Sequence, residues 1–165
     1  MRLTHLICTF FYVGHLRPAP GTWGSLAALP VAWALHLAGG PALLFAGILL
    51  SFALGWWATH LETKGKANHD PSEIVIDEVA GQWLAFLPVS IGASHAGADL
   101  LSLWPGFVFS FIAFRFFDIT KLGPIGWADR RNDAFGVMLD DIVAGFAAAL
   151  CVLLAAGLYH GVLGL

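Results

Sequence analysis

Four carboxylates fall where a charge is expensive. Asp77 and Glu78 lie in HDPSEIVIDEVAGQW (His69–Trp83), and Asp140 and Asp141 lie in GVMLDDIVAG (Gly136–Gly145). Each pair runs directly into an uncharged apolar stretch and is expected about one turn inside a helix. A charged side chain at membrane depth costs at least about 2.5–3.5 kcal/mol, and adjacent carboxylates repel. A divalent cation offsets both costs, and hard cations such as Mg²⁺ take carboxylate oxygens and keep water for chemistry. Acids at a helix N-terminus are also stabilised by the macrodipole. That explains Asp70, Glu73 and Asp133 more readily than the two pairs. If the third helix began early, Asp70, Glu73 and Asp77 would share a face, because their spacing is i, i+3, i+7. Asp133, Gly136 and Asp140 repeat that spacing.

Two further motifs suit a phosphate. Pro20-Gly21-Thr22-Trp23-Gly24-Ser25 opens the first long apolar stretch. Small residues at a helix N-terminus let backbone N–H groups face an anion, so Gly21, Thr22, Gly24 and Ser25 are candidate phosphate contacts. In FRFFDITK (Phe114–Lys121), Arg115, Asp118 and Lys121 recur every third residue. That spacing makes an intrahelical ion-pair ladder. It also offers Arg115 and Lys121 to a phosphate, with Asp118 orienting them or joining the metal site.

The elements that must position these groups follow from composition. Of 165 residues, 58% are hydrophobic and 12% charged, and mean hydropathy is +0.77. Soluble domains average about 25% charged, so the chain reads as a single membrane-embedded domain, residues 1–165. A net charge of -3 argues against nucleic acid as a partner. Cys8 and Cys151 match no disulfide framework or metal motif. The seven histidines form no ligand spacing; only His69, beside Asp70, adjoins the acids.

No charge occurs in Pro18–Leu61, Val79–Ala98 or Ile142–Leu165. A membrane helix needs roughly 20 apolar residues. The first run holds two helices broken at Gly39-Gly40-Pro41, near Ser25–Ala38 and Ala42–Leu61. Three more are expected near Ile74–Ser94, Leu100–Phe117 and Phe135–His160. Thr4–Val13 reads as a short interfacial helix and not as a cleavable leader. The fold class is thus all-α and polytopic, with four to five transmembrane helices. Gly81 and Gly145 would let the third and fifth of these approach closely.

Alternating the sides puts Arg2, Arg17, Lys64, Lys66, Arg115, Lys121, Arg130 and Arg131 on one face of the membrane. Positive charge marks that face as cytoplasmic, and five crossings put the C terminus outside. All the acids except Asp99 cluster on the same face.

These motifs together resemble the phosphatidylglycerophosphatase A family. PGTWGSLAALP (Pro20–Pro30), HDPSEIVIDEVAGQW, FRFFDITK with PIGWAD (Phe114–Asp129) and GVMLDDIVAG agree in order and spacing over nearly the whole chain after the first dozen residues. The resemblance implies a Mg²⁺-dependent phosphatase of the bacterial inner membrane, its site facing the cytoplasm. The substrate it implies is the lipid phosphatidylglycerophosphate, converted to phosphatidylglycerol in phospholipid biosynthesis. The family's acidic motifs map to Asp77, Glu78, Asp118, Asp140 and Asp141 as catalytic residues. Asp70 and Asp129 also match and are further metal candidates, whereas Glu73 does not carry over. Two loops depart from the pattern, at Leu122-Gly123-Pro124 and at Asp133-Ala134-Phe135.

Three rivals are weaker. A CDP-alcohol phosphotransferase pattern fits Gly136 and Asp140 but meets Ala144 where it needs Asp. A carboxylate-based cation or proton transporter fits buried acids, but these all lie on one side. A structural membrane subunit has no need of two acidic pairs.

Overall fold

The computed structural model describes residues 2–162, and among them every regular element is helical. In order these are α1 (Leu3–Cys8), a 3-10 turn (Val13–His15), α2 (Pro20–Thr63), α3 (Ile76–Ala96), a second 3-10 turn (Leu100–Leu103), α4 (Trp104–Thr120), α5 (Pro124–Asp129) and α6 (Ala134–Val162). Three segments, Pro20–Thr63, Leu100–Thr120 and Ala134–Tyr159, are long and apolar enough to cross a membrane. That is fewer than the four to five expected, for two physical reasons.

The first reason lies in α2. Its 44 residues would extend about 66 Å as one rod, roughly twice the hydrocarbon thickness. The chain instead reverses at Gly39 and Gly40, the latter at φ +63°, a conformation that glycine adopts without a steric penalty. Beyond the turn, Leu35 Cδ1 lies 3.1 Å from where a Cβ on Gly47 would stand. In a continuous helix these residues would be about 18 Å apart. The element is a hairpin of two limbs, as the Gly-Gly-Pro break implies. Its first limb begins at Pro20, not Ser25, because proline suits the first helical position.

The second reason is α3. It has 21 residues, but Asp77, Glu78, Gln82, Ser90 and Ser94 interrupt its apolar surface. It packs chiefly on α2 and α6 and is buried along much of its length. Helix α3 begins at Ile76, so Asp77 and Glu78 stand in its first turn and not one turn inside. The shared face of Asp70, Glu73 and Asp77 therefore does not form. Asp140 and Asp141 do lie within α6, as expected.

The close approach of two glycines holds. A Cβ on Gly145 would run into the backbone carbonyl of Gly81, and one on Gly81 would lie 2.6 Å from the Asp141 carbonyl oxygen. The obstacles are backbone, which yields little. Gly145→Val is therefore expected to lower the thermal midpoint in detergent by about 5 °C or more. A midpoint within ~2 °C of wild type would show that α3 and α6 do not depend on this contact.

The N-terminal segment is shorter in helix than Thr4–Val13. Helix α1 stops at Cys8, and Phe10, Phe11 and Tyr12 take φ of 44°, 56° and 70°. The Val75 N–H donates to the Cys8 carbonyl at 2.8 Å, which pins the strand of chain entering α3. Leu3, Phe11 and Leu16 are exposed beside Arg2 and Arg17. The C terminus, expected outside, lies beyond the described residues.

Candidate functional site

The start of α2, the starts of α3 and α6, the end of α4 and the whole of α5 meet at one end of the bundle. The α2 turn and the end of α3 meet at the other, where Gly40 approaches Ser94. All the chemistry-bearing motifs lie at the first end.

Asp77, Glu78 and Asp141 each offer a carboxylate oxygen, and these oxygens lie within 4.8 Å of one another. The main-chain N–H of Glu78 donates to Asp77 Oδ1 at 3.0 Å, and both acids stand in the first turn, where the helix dipole favours negative charge. Asp77 and Asp141 are buried at 6% and 2% exposure. Glu78 Oε2, Asp141 Oδ2 and Asp140 Oδ1 are buried without a hydrogen-bond partner. A buried carboxylate oxygen needs a donor or a cation. The trio thus fits a hard divalent ion, which would offset the mutual repulsion of its carboxylates.

Asp140 turns away from the trio. Lys121 Nζ pairs with Asp140 Oδ2, with Asp118 Oδ1 at 3.3 Å and with Asp129 Oδ1 at 3.4 Å. Lys121 caps α4 in a left-handed conformation, φ 48°, which directs its side chain across α5 and α6. Burial alone would lower its pKa, but Asp141, Asp140 and Asp118 face it and raise it above the ordinary lysine range. Arg115 Nη1 bridges Asp118 Oδ2 at 2.8 Å and Ser25 Oγ at 3.3 Å. The Arg115–Asp118–Lys121 ladder therefore exists and also forms one wall of the site.

The small residues of the first limb divide in role. A Cβ on Gly21 would overlap Glu78 Oε1 and stand 3.4 Å from Arg115 Nη1, so this glycine lets α2 touch both charge centres. Ser25 Oγ donates to the Gly21 carbonyl at 2.9 Å and steadies Arg115. Gly24 serves packing, since a Cβ there would lie 2.8 Å from Val75 Cβ. Thr22 is half-buried nearby.

A cavity of about 80 Å³ beside the acids is lined by His69, Asp70, Asp129, Arg131, Asn132, Val137 and Asp140. It gathers Asp70 and Asp129 with Asp140, although Asp70 is far from the latter two in sequence. Asp133 stays outside, capping α6 through the Gly136 N–H at 2.7 Å. Its bonds from Arg131 and from that N–H hold its carboxyl below the usual range. Sequence reading passed over Arg131, Asn132 and Gln82. Gln82 is fully buried with neither amide atom partnered. A polar residue one turn beyond Glu78 in an apolar run was its signal.

Fold and site define a class: a helical enzyme whose buried acids face two cations, a pairing suited to phosphate chemistry, at one end of an apolar bundle. The family model for phosphatidylglycerophosphatase A matches residues 6–156. The chain belongs to that family and is a phosphatase. Among its relatives, the Haemophilus influenzae phosphatidylglycerophosphatase A is 34% identical over 149 residues, covering 90% of this chain and 85% of that protein. The Escherichia coli phosphatidylglycerophosphatase A is 33% identical over 146 residues, covering 88% and 78%. A Bacteroides thetaiotaomicron protein, provisionally named a phosphatidylinositol-3-phosphatase, is 35% identical over 158 residues, covering 91% of each chain. No solved structure gives a significant match.

Proposed function

We propose that the chain is a single membrane-embedded domain that hydrolyses the phosphomonoester of phosphatidylglycerophosphate, giving phosphatidylglycerol and phosphate, with Mg²⁺ as cofactor. The observation that carries this reading is the buried trio Asp77, Glu78 and Asp141 beside Arg115 and Lys121. A Mg²⁺ held by that trio would supply charge neutralisation at the phosphate. Arg115 and Lys121 bind phosphate oxygens and stabilise the charge that develops in the transition state. Asp118 holds the two cations apart and aimed. Water attacks phosphorus in line; Asp140 Oδ1, unpaired beside the cavity, takes the water's proton, and the ester P–O bond breaks. That proton passes through cavity water to the leaving alkoxide, so the lipid leaves as an alcohol and Asp140 is restored. Asp70 and Asp129 complete the acidic wall. The first turns of α2 at Gly21 and Thr22 add free N–H groups.

The two limbs of α2 with α3, α4 and α6 would make five crossings of a bacterial inner membrane. Arg17, Lys64, Lys66, Arg130 and Arg131 all flank element ends at the site's end of the bundle, and by the positive-inside rule that charge supports a cytoplasmic setting for it. There a lipid headgroup enters the site while its acyl chains stay in the bilayer.

Purified protein in detergent is expected to release phosphate from phosphatidylglycerophosphate with Mg²⁺ and to stop in EDTA. Phosphatidylinositol 3-phosphate, suggested by the name of the Bacteroides relative, is the comparison substrate. Faster release from it would replace the glycerophosphate headgroup in this reading, and release unaffected by EDTA would remove the metal.

A further inference from the structure

Four of the buried polar atoms without a partner belong to three residues: Glu78 Oε2, Gln82 Nε2, Gln82 Oε1 and Arg115 Nε. Two are acceptors and two are donors. A primary amide buried without hydrogen bonds is destabilising, and Gln82 is 0% exposed. The three residues are neighbours. Glu78 and Gln82 stand four apart on α3, so their side chains share a face. Gly81, next to Gln82, has no room for a Cβ because the ring of Phe114, next to Arg115, lies against it. Gly21 approaches both Glu78 Oε1 and Arg115 Nη1.

We propose that Gln82 is a positioning residue that ties the cation-holding acid to the phosphate-holding arginine. Neither bond is closed in the structure; side-chain rotation would let its amide Nε2–H donate to Glu78 Oε2 and its carbonyl Oε1 accept from Arg115 Nε–H. The two bonds would satisfy all four orphaned atoms. They fix the rotamer of Glu78 while its other oxygen stays at Gly21, and they leave the Nη groups of Arg115 free for Ser25, Asp118 and substrate. The proposal rests on the phosphatase reading above.

The test uses the full chain in detergent, stripped of metal, and Gln82→Met, which keeps volume and removes both hydrogen-bonding atoms. Mn²⁺ alone is the probe, titrated by electron paramagnetic resonance without substrate. Outer partners of metal ligands typically contribute about 10–100-fold in affinity. Gln82→Met is therefore expected to weaken Mn²⁺ binding at least ~10-fold and to lower kcat/KM by a similar factor, mostly through kcat. Gln82→Asn, which keeps the amide but draws it back by one carbon, is expected to fold and to lose about 3-fold or more. Unchanged Mn²⁺ affinity and kcat/KM in either folded variant, with only a lower thermal midpoint, would assign Gln82 to packing and overturn the proposal. Wild-type protein that neither binds Mn²⁺ nor releases phosphate would instead overturn the reading beneath it.

Discussion

Asp141→Asn is expected to lose Mg²⁺-dependent phosphate release by about 10³-fold while the protein without metal becomes no less stable. Three carboxylate oxygens within 4.8 Å, on residues buried or nearly so, repel by a few kcal/mol per ionised pair at an effective dielectric near 20. Asp141 Oδ2 has no donor to soften that repulsion. Asparagine fills the same space and removes one of the three charges, so the metal-free protein is relieved. The cation loses a ligand at the same time. Charge stabilisation at a transferring phosphoryl group amounts to several kcal/mol, and each ~1.4 kcal/mol is tenfold in rate. Two thermal melts make the sign visible. In EDTA the variant should melt at or above wild type, and the rise that Mg²⁺ gives wild type should be absent from it. A variant that keeps a tenth of wild-type turnover, or melts well below wild type in EDTA, would show that Asp141 is a structural acid.

How much of this was legible in the sequence depended on which contacts are local. Charge-free runs and Gly39-Gly40-Pro41 fixed the helices and the hairpin within a few residues, because membrane length and turn chemistry act along the chain. The ladder Arg115–Asp118–Lys121 was legible for the same reason. The start of α3 was missed because Pro71 to Val75 is held in place by the N-terminal segment, through Cys8 and Gly14, a tertiary effect without local signature. Sequence reading also treated Asp140 and Asp141 as one pair. They are adjacent, but a helix rotates neighbours by about 100°, so Asp141 faces α3 and Asp140 faces Lys121. Which face met which partner depended on Gly81 and Gly145, whose approach was foreseen but whose rotational register was not. Gly24 shows the converse error. It lies within a motif that reads as an anion cradle, yet its missing Cβ makes room for Val75.

Lys121→Met is expected to cost about 10- to 100-fold in kcat/KM, and Lys121→Arg to restore only part of it. Lys121 Nζ serves Asp118, Asp129 and Asp140 together. Removing one partner of a buried ion pair typically costs about 3–5 kcal/mol because the other charge is left unpaired. Here the lysine side chain is 30% exposed and Asp129 is 44% exposed, so water repays part of that, and a loss of about 1–3 kcal/mol is the reasonable scale. Arginine restores the charge, but its planar fork does not meet three separate carboxylates as a rotating ammonium does. The pH dependence then separates binding from proton transfer. The facing carboxylates hold the Lys121 pKa above the ordinary lysine value despite its burial. A base raised on folding adds stability that is complete below its unfolded pKa, about 10.4, and is lost only as pH climbs through the higher folded value. Lys121 is therefore a fixed cation throughout the working range. Wild-type kcat/KM should show no alkaline limb from it below about pH 9.5. An alkaline limb in that range that disappears in Lys121→Arg would make Lys121 a titrating acid that gives its proton to the leaving alkoxide, and Asp140 would then be its proton relay.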